Sequence, residues 1–409
     1  MTTIDDLPVL QALDDPTFGE NFKWSKELFD RGHRGLMRAS WGEPVAVCYK
    51  DVLALSVNSL VGHQNIETQL EALPRPVARR DGALAKMLGA GTFHLQPPQL
   101  TANKQLITRG LTPKTVASFT DEFGSTVQRL VERSRRIGEI DFIRDFAKPA
   151  LVAFWGTNLG LSSDEVEEAI HLATDLMAAF SLSATEDEMQ LAYRAADGWM
   201  STMPRLLERA ERTGSYAIVN GLSAAYEAID ERQRQADRYM LLSQGLFDGF
   251  HTLGSGFAAT VYGMIEGGFQ PIEHCGAPGV FAKGLVSEAF RIHGAVAMTT
   301  RQALGDFEYD GLLVPAGTNI HMIWTLANLD PEVFASPFNY VLDRSNASRK
   351  LSFGGGPYMC AGRHLAVALS ERLVTEFVGK RVQAHSAGSC KWRAGSTIHE
   401  LTEFPIILT

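Results

Sequence analysis

The sequence predicts a mainly α-helical protein with small β-sheets, built as one domain over residues 1–409. From about Thr112 onward, a helical repeat of apolar residues dominates for some 150 residues. The stretches that alternate like strands are short and punctuated by turn residues. No Ser/Pro-rich linker, charge block or internal repeat divides the 409 residues, so one large domain is expected.

The elements follow in order. The opening MTTIDDLPVLQALDDP is acidic and lacks a long apolar core, so it is expected to be neither signal peptide nor anchor. Residues 1–40 read as a lead-in. The segment from Glu43 to Tyr49 reads as an early strand, with a helix from Lys50 or Asp51. Ser162-Ser163-Asp164-Glu165 opens a helix with a capping-box pattern. Leu241 to Ile265 is the longest apolar stretch, but Gln244, Asp248 and His251 interrupt it. Ionisable groups are costly in a bilayer, so a buried central helix is expected there. Phe307 to Ile320, with turns at Tyr309-Asp310-Gly311 and Pro315-Ala316-Gly317, reads as a hairpin region. Ile398 to Leu408 reads as short strands.

The chain is 45% hydrophobic and 21% charged, an ordinary soluble composition. A net charge of −9 argues against nucleic acid as a partner. Cys48, Cys275, Cys360 and Cys390 are scattered, with neither a CxxC pair nor a disulfide-dense pattern. That usage suits a reducing, cytoplasmic location.

The most informative stretch is Phe353-Gly354-Gly355-Gly356-Pro357-Tyr358-Met359-Cys360-Ala361-Gly362. Glycines let backbone pass close to a flat cofactor. A helix is expected just after it, with Leu365, Ala366, Leu369 and Leu373 on one face. Its N-terminal partial charge favours a thiolate.

This run resembles the cysteine loop of the cytochrome P450 family, F-G-x-G-x-[HR]-x-C-x-G. Phe353, Gly354, Gly356, Cys360 and Gly362 match, while Tyr358 stands where a basic residue is usual. The resemblance implies a triangular, mainly helical fold around haem b (iron protoporphyrin IX), with Cys360 as iron ligand. Glu288-Ala289-Phe290-Arg291, 72 residues before the cysteine, resembles the family's E-x-x-R, whose charges share a helix face. Asn339 stands where the family's completing arginine is expected; its amide is expected to donate to Glu288, helped by Arg344. Arg301, Lys104 and Tyr358 are the candidates to hold the haem propionates, since Leu100 and Lys350 replace usual histidines.

Asp248-Gly249-Phe250-His251-Thr252 resembles the family's distal A-G-x-[DE]-T, ending 36 residues before Glu288. The resemblance implies that Gly249 leaves room at the haem and that Thr252 manages protons. His251 replaces the acid and is a candidate relay. Asp248 replaces a small residue and is a candidate distal acid, or an anchor for a cationic or hydrogen-bonding substrate group. Met177, Phe180, Val296 and Met298 are expected at the substrate pocket, with a loop from Gly62 to Phe93 over it. Lys104, Arg109, Lys114, Arg349, Lys350 and Arg363 are candidates for docking an acidic redox protein.

The family likeness implies a soluble oxidoreductase acting on a small-molecule substrate. Electrons from NAD(P)H would arrive through a separate ferredoxin or flavodoxin with its reductase. The unusual distal set points to secondary-metabolite biosynthesis, by hydroxylation or by desaturation, ring formation or coupling. Two alternatives stand beside it. One is a haem-thiolate enzyme that uses peroxide, reduces nitric oxide or isomerises its substrate. The other is a haem sensor without turnover.

Overall fold

The computed structural model describes residues 3–20, 22–64, 82–90, 95–180, 184–229, 231 and 238–409. Its helices are α1 (Ser25–Asp30), α2 (Tyr49–Val57), α3 (Ala83–Ala90), α4 (Gln99–Gly110), α5 (Pro113–Ile137), α6 (Lys148–Leu159), α7 (Ser163–Leu176), α8 (Glu186–Thr213) and α9 (Ala217–Glu227). They continue as α10 (Arg238–Glu266), α11 (Pro278–Ile292), α12 (Trp324–Asn328) and α13 (Arg363–Gly379). Local chemistry sets their ends. Thr112 caps α5 ahead of Pro113, and Gly138 stops it at φ 91°. Ser162 and Glu165 close the expected capping box at α7, with Glu165 N–H donating to Ser162 Oγ at 3.3 Å.

The strands are β1 (Met37–Arg38), β2 (Pro44–Ala46), β3 (Val61–Gly62), β4 (Glu139–Asp141), β5 (Met298–Ala303), β6 (Phe307–Tyr309), β7 (Leu312–Val314) and β8 (Asn319–Ile323). Four more follow: β9 (Ala384–Ser386), β10 (Lys391–Trp392), β11 (Leu401–Glu403) and β12 (Pro405–Leu408). One sheet runs β1-β2-β8-β5-β3, and a second runs β4-β12-β9. β6–β7 and β10–β11 are hairpins, so the expected hairpin and late strands are present.

The apolar α10 runs through the main core, packed against α4, α6, α7, α8, α11 and α13. Trp155 of α6 stacks on Phe250 at 4.6 Å, and Trp199 of α8 meets the same ring edge-on. No helix among the described residues is long and apolar enough to cross a membrane. The first 40 residues are more than a lead-in. Leu10, Leu13, Phe18, Phe22, Phe29 and Met37 build a second core with Ile292, Met298 and Ile323. That burial ties the start of the chain to β5 and β8.

Candidate functional site

The cysteine loop is closed by its own backbone: Cys360 N–H donates to Phe353 O at 2.8 Å. A short turn over Gly356–Tyr358 precedes it, and α13 begins at Arg363. Gly354 and Gly356 take φ values of 76° and 61°, where side chains are strained. The glycines divide their work. A Cβ at Gly355 or Gly356 would collide with Ser56 of α2, so these two admit a neighbouring helix. At Gly354 and Gly362 no atom outside the adjoining residues comes nearer than 3.8 Å to such a Cβ. Phe353 packs edge-on to Phe290 of α11 at 5.6 Å.

Cys360 keeps accessible surface although protein surrounds it, so its sulfur faces an interior space. Burial pushes the thiol up. The Gly362 N–H and the charges of Lys104 and Arg363 oppose this, while Asp248 adds to it.

Arg301 stands on β5, near Lys104 and Tyr358 in the surroundings of the cysteine loop. Its guanidinium is enclosed and lies 5.0 Å from the Tyr358 ring, and its Nη1 donates to Thr300 O at 2.9 Å. No carboxylate among the described residues pairs with it, and burial pulls it down to about 10. Lys104 of α4 donates to Pro357 O at 2.7 Å and to Met359 O, pinning the loop. Burial lowers it to about 8, against the pull of Cys360. Tyr358 donates to Gln96 Oε1 at 2.6 Å and packs on His63 with ring centroids 4.2 Å apart. His63 and Gln96 were not singled out in the sequence. Their signal, two polar residues flanking the variable loop, is too weak to read alone. Lys350 turns to Ser287 Oγ at 3.0 Å, on α11.

Across the interior, Asp248 and Thr252 share one face of α10, four residues apart. Thr252 Oγ1 donates to Asp248 O at 2.8 Å. The Asp248 carboxyl has no hydrogen bond or ion pair of its own, and burial pushes it up to about 7 against the opposing charge of His251. His251 points elsewhere. Its Nε2 lies 2.6 Å from Glu400 Oε2, and its Nδ1 lies 3.2 Å from Thr174 Oγ1 of α7. The Thr174 hydroxyl already donates to Ile170 O, so both ring nitrogens face acceptors. Ser255 and Arg393 also donate to Glu400. Burial pushes Glu400 up, but His251 and Arg393 outweigh it and hold it at about 2. The ring expected to serve Thr252 is thus taken up by a carboxylate 149 positions later in the chain. Gly249 also differs from expectation. A Cβ there would stand 3.0 Å from the Trp155 ring, so the glycine admits α6.

The brace beneath the loop is complete. Arg291 Nε and Nη2 donate to Glu288 Oε1 and Oε2 at 2.8 and 2.9 Å. Arg344 Nε adds bonds of 3.0 Å to the same oxygens. Asn339 joins through its carbonyl, which accepts from Arg291 and Arg344, rather than through its exposed amide. Burial pushes Glu288 up, yet the two guanidiniums and Val341 N–H hold it below the ordinary value.

The expected pocket residues divide as well. Val296 is half-buried in a bridge to Ile398, and Met177 is buried where α7 ends. Met298 points into the second core instead, because the alternation along β5 turns it toward Leu10 and Ile323. The side chain of Phe180, and residues 65–81 and 91–93 of the loop expected over the pocket, lie outside the described residues.

The family model described as Cytochrome P450 matches residues 281–378, which hold both the Glu288 brace and Cys360. The steroid C26-monooxygenase of Mycolicibacterium smegmatis is 27% identical over 70% of this chain and 71% of its own length. The luteothin monooxygenase of Streptomyces thioluteus is 23% identical over 72% and 71%. The solved structure of P450BioI with an acyl carrier protein ligated to hexadec-9Z-enoic acid superposes with a TM-score of 0.82. It is 18% identical and covers 98% of this chain and 100% of its own. The segment matched and the fold are those of cytochrome P450s. The relatives matched are named monooxygenases, and the matched family implies haem. The residues present fit that group: an accessible cysteine on a loop with room at Gly354, and a buried guanidinium with no carboxylate partner among the described residues.

Proposed function

We propose that this P450 binds haem b through Cys360 and oxidises a small organic substrate with dioxygen. Two electrons would come from NAD(P)H through a separate ferredoxin or flavodoxin and its reductase. The observation that carries the reading is the glycine-rich loop that presents Cys360, pinned by Lys104 and set within electrostatic reach of Asp248. The bound haem would supply the iron on which dioxygen is activated, with thiolate electron density favouring O–O cleavage.

The chain's own residues do the rest. Arg301 offers an unpaired cation for a propionate, beside Tyr358, and Lys104 holds the loop that presents the sulfur. The Asp248 carboxyl, poised at about 7, holds or releases a proton near neutrality. Thr252 donates its proton to Asp248 O and so turns oxygen lone pairs to the interior. His251 is a positioning residue that fixes α10 to α7 and to the loop bearing Glu400. The alternative without dioxygen cleavage would draw its support from His251 standing where the family has an acid. Asp248, an acid on the face of Thr252, weakens it.

A biosynthetic role is supported by relatives that include luteothin monooxygenase and a biotin biosynthesis cytochrome P450. The test is reconstitution with haem, followed by reduction under carbon monoxide. Wild type is expected to give the red-shifted thiolate band, and Cys360→Ser to lose it. Absence of that band in wild type, or no NAD(P)H use with any redox pair, would overturn the proposal.

A further inference from the structure

Lys104 spends its donors in an unexpected place. Its half-buried side chain leaves α4 and reaches the turn before Cys360, where Nζ donates to Pro357 O at 2.7 Å and to Met359 O. Two of the three donors of an ammonium are thereby used on neutral carbonyls. No carboxylate among the described residues pairs with it. The charged groups that face it are Cys360, Arg363 and Arg301, and of these only the cysteine can be an anion. A buried cation with no anion is costly, so a thiolate at position 360 is the group that compensates Lys104.

The distance follows from covalent geometry. Met359 O belongs to the peptide whose nitrogen is Cys360 N. Standard bond lengths keep the Cys360 sulfur within about 6 Å of that oxygen in any rotamer, and so within about 8 Å of the Lys104 ammonium. The same peptide is held at its other end, where Cys360 N–H donates to Phe353 O at 2.8 Å. A cation on the carbonyl polarises the peptide and strengthens the N–H bond beyond it. Arg363 adds a second cation, with Nη1 donating to Cys360 O at 3.1 Å. Asp248 is the acid that faces the sulfur and opposes the thiolate. Arg301 differs from Lys104: its one printed bond uses Nη1 alone, so its other N–H groups stay free for a haem carboxylate.

Resting on the haem-thiolate reading above, we propose that Lys104 is a positioning residue for the thiolate ligand, whose fixed charge raises the reduction potential of the haem, and that it does not clamp a propionate. Reduction adds one electron to the ferric centre, forms and breaks no bond, and places one more negative charge beside the sulfur. A cation within about 8 Å favours that charge state. It also draws electron density from the sulfur, so Lys104 trades donor strength for ease of reduction.

The experiment titrates the haem-loaded full chain between ferric and ferrous forms in a spectroelectrochemical cell, as wild type, Lys104→Met, Lys104→Gln and Lys104→Arg. Lys104→Met is expected to lower the ferrous-to-ferric ratio at a fixed applied potential by about tenfold or more, the scale of one charge at about 8 Å and an effective dielectric of about 20. Lys104→Gln can still donate to a loop carbonyl but carries no charge, and should fall as far. Lys104→Arg should keep most of the wild-type ratio. Loading with haem dimethyl ester, whose propionates are uncharged, should leave the Lys104→Met effect in place. An unchanged ratio in Lys104→Met, a wild-type ratio in Lys104→Gln, or an effect that vanishes with the dimethyl ester would overturn the proposal, the last by returning Lys104 to a propionate. If Lys104→Met does not take up haem, Lys104→Gln and Lys104→Arg decide the matter, and equal ratios in those two overturn it. A wild type without the red-shifted carbonyl band sinks the haem-thiolate reading, whereas a normal band with an unmoved ratio sinks this proposal alone.

Discussion

Glu288 is 1% exposed and carries two guanidiniums, so its worth lies in what its loss would strand. Glu288→Gln is expected to cost about 3–5 kcal/mol, because two buried cations lose their anion. Urea denaturation would measure it. Arg344→Ala should be severe for the same reason. Asn339→Ala should stay within about 0.5 kcal/mol, since only the backbone of that exposed residue is used. Because Glu288 is held low, this contribution is present above the ordinary carboxylate pKa and fades as pH falls through the depressed value. The Glu288–Arg291 pair was legible because one helix turn fixes it. Arg344 as the second direct partner was less so, since its approach depends on how the loop after α12 folds. At the sulfur's side, Arg301→Ala is expected to speed haem loss to an apo-globin acceptor, with the fold unchanged by circular dichroism. Removing a desolvated cation takes its propionate bond with it.

Helix α10 shows what an element adds to its residues. Its apolar length, and the facing of Asp248 and Thr252, followed from the 3.6-residue period. The partner of His251 did not, because Glu400 reaches it from a loop whose path no local pattern dictates. Gly249 shows a related gap: a small residue signals close approach, but not whether cofactor or Trp155 makes it. Glu400→Gln is therefore expected to loosen α7 and α10 together, read as faster amide exchange in both helices. Exchange confined to the loop would remove the coupling. Trp155→Ala should cost about 3–5 kcal/mol, as it empties the space between Phe154 and Phe250.

Over the whole molecule, the helical class, the single run of packed elements and the late strands were readable from periodicity and turns. The second core was not, because an acidic opening with sparse apolar residues gives no sign that Leu10, Phe18 and Phe22 are buried against β5 and β8. That core carries a pH signature. His399 Nδ1 donates to Gly19 O at 2.6 Å, its Nε2 lies 3.1 Å from His293 Nδ1, and Trp392 stacks on its ring. Burial pulls His399 down to about 3, so between there and its unfolded value of about 6.5 only the unfolded chain binds the proton. Stability should fall as pH drops below about 6.5, by up to about 1.4 kcal/mol per pH unit from this group. Urea midpoints from pH 7 to 5 would measure it, and His399→Gln should flatten the slope.

The neighbours His399 and Glu400 reach back to Gly19 and to His251, so one short loop fastens the earliest packed segment and the central helix at once. Translation supplies that loop only after nearly every other part of the fold. A ribosome stalled with about 380 residues emerged would therefore display Cys360 and Arg301 already synthesised but unclamped, prone to proteases and slow to retain porphyrin. Porphyrin retention should rise steeply between stalls placed before and well beyond position 400.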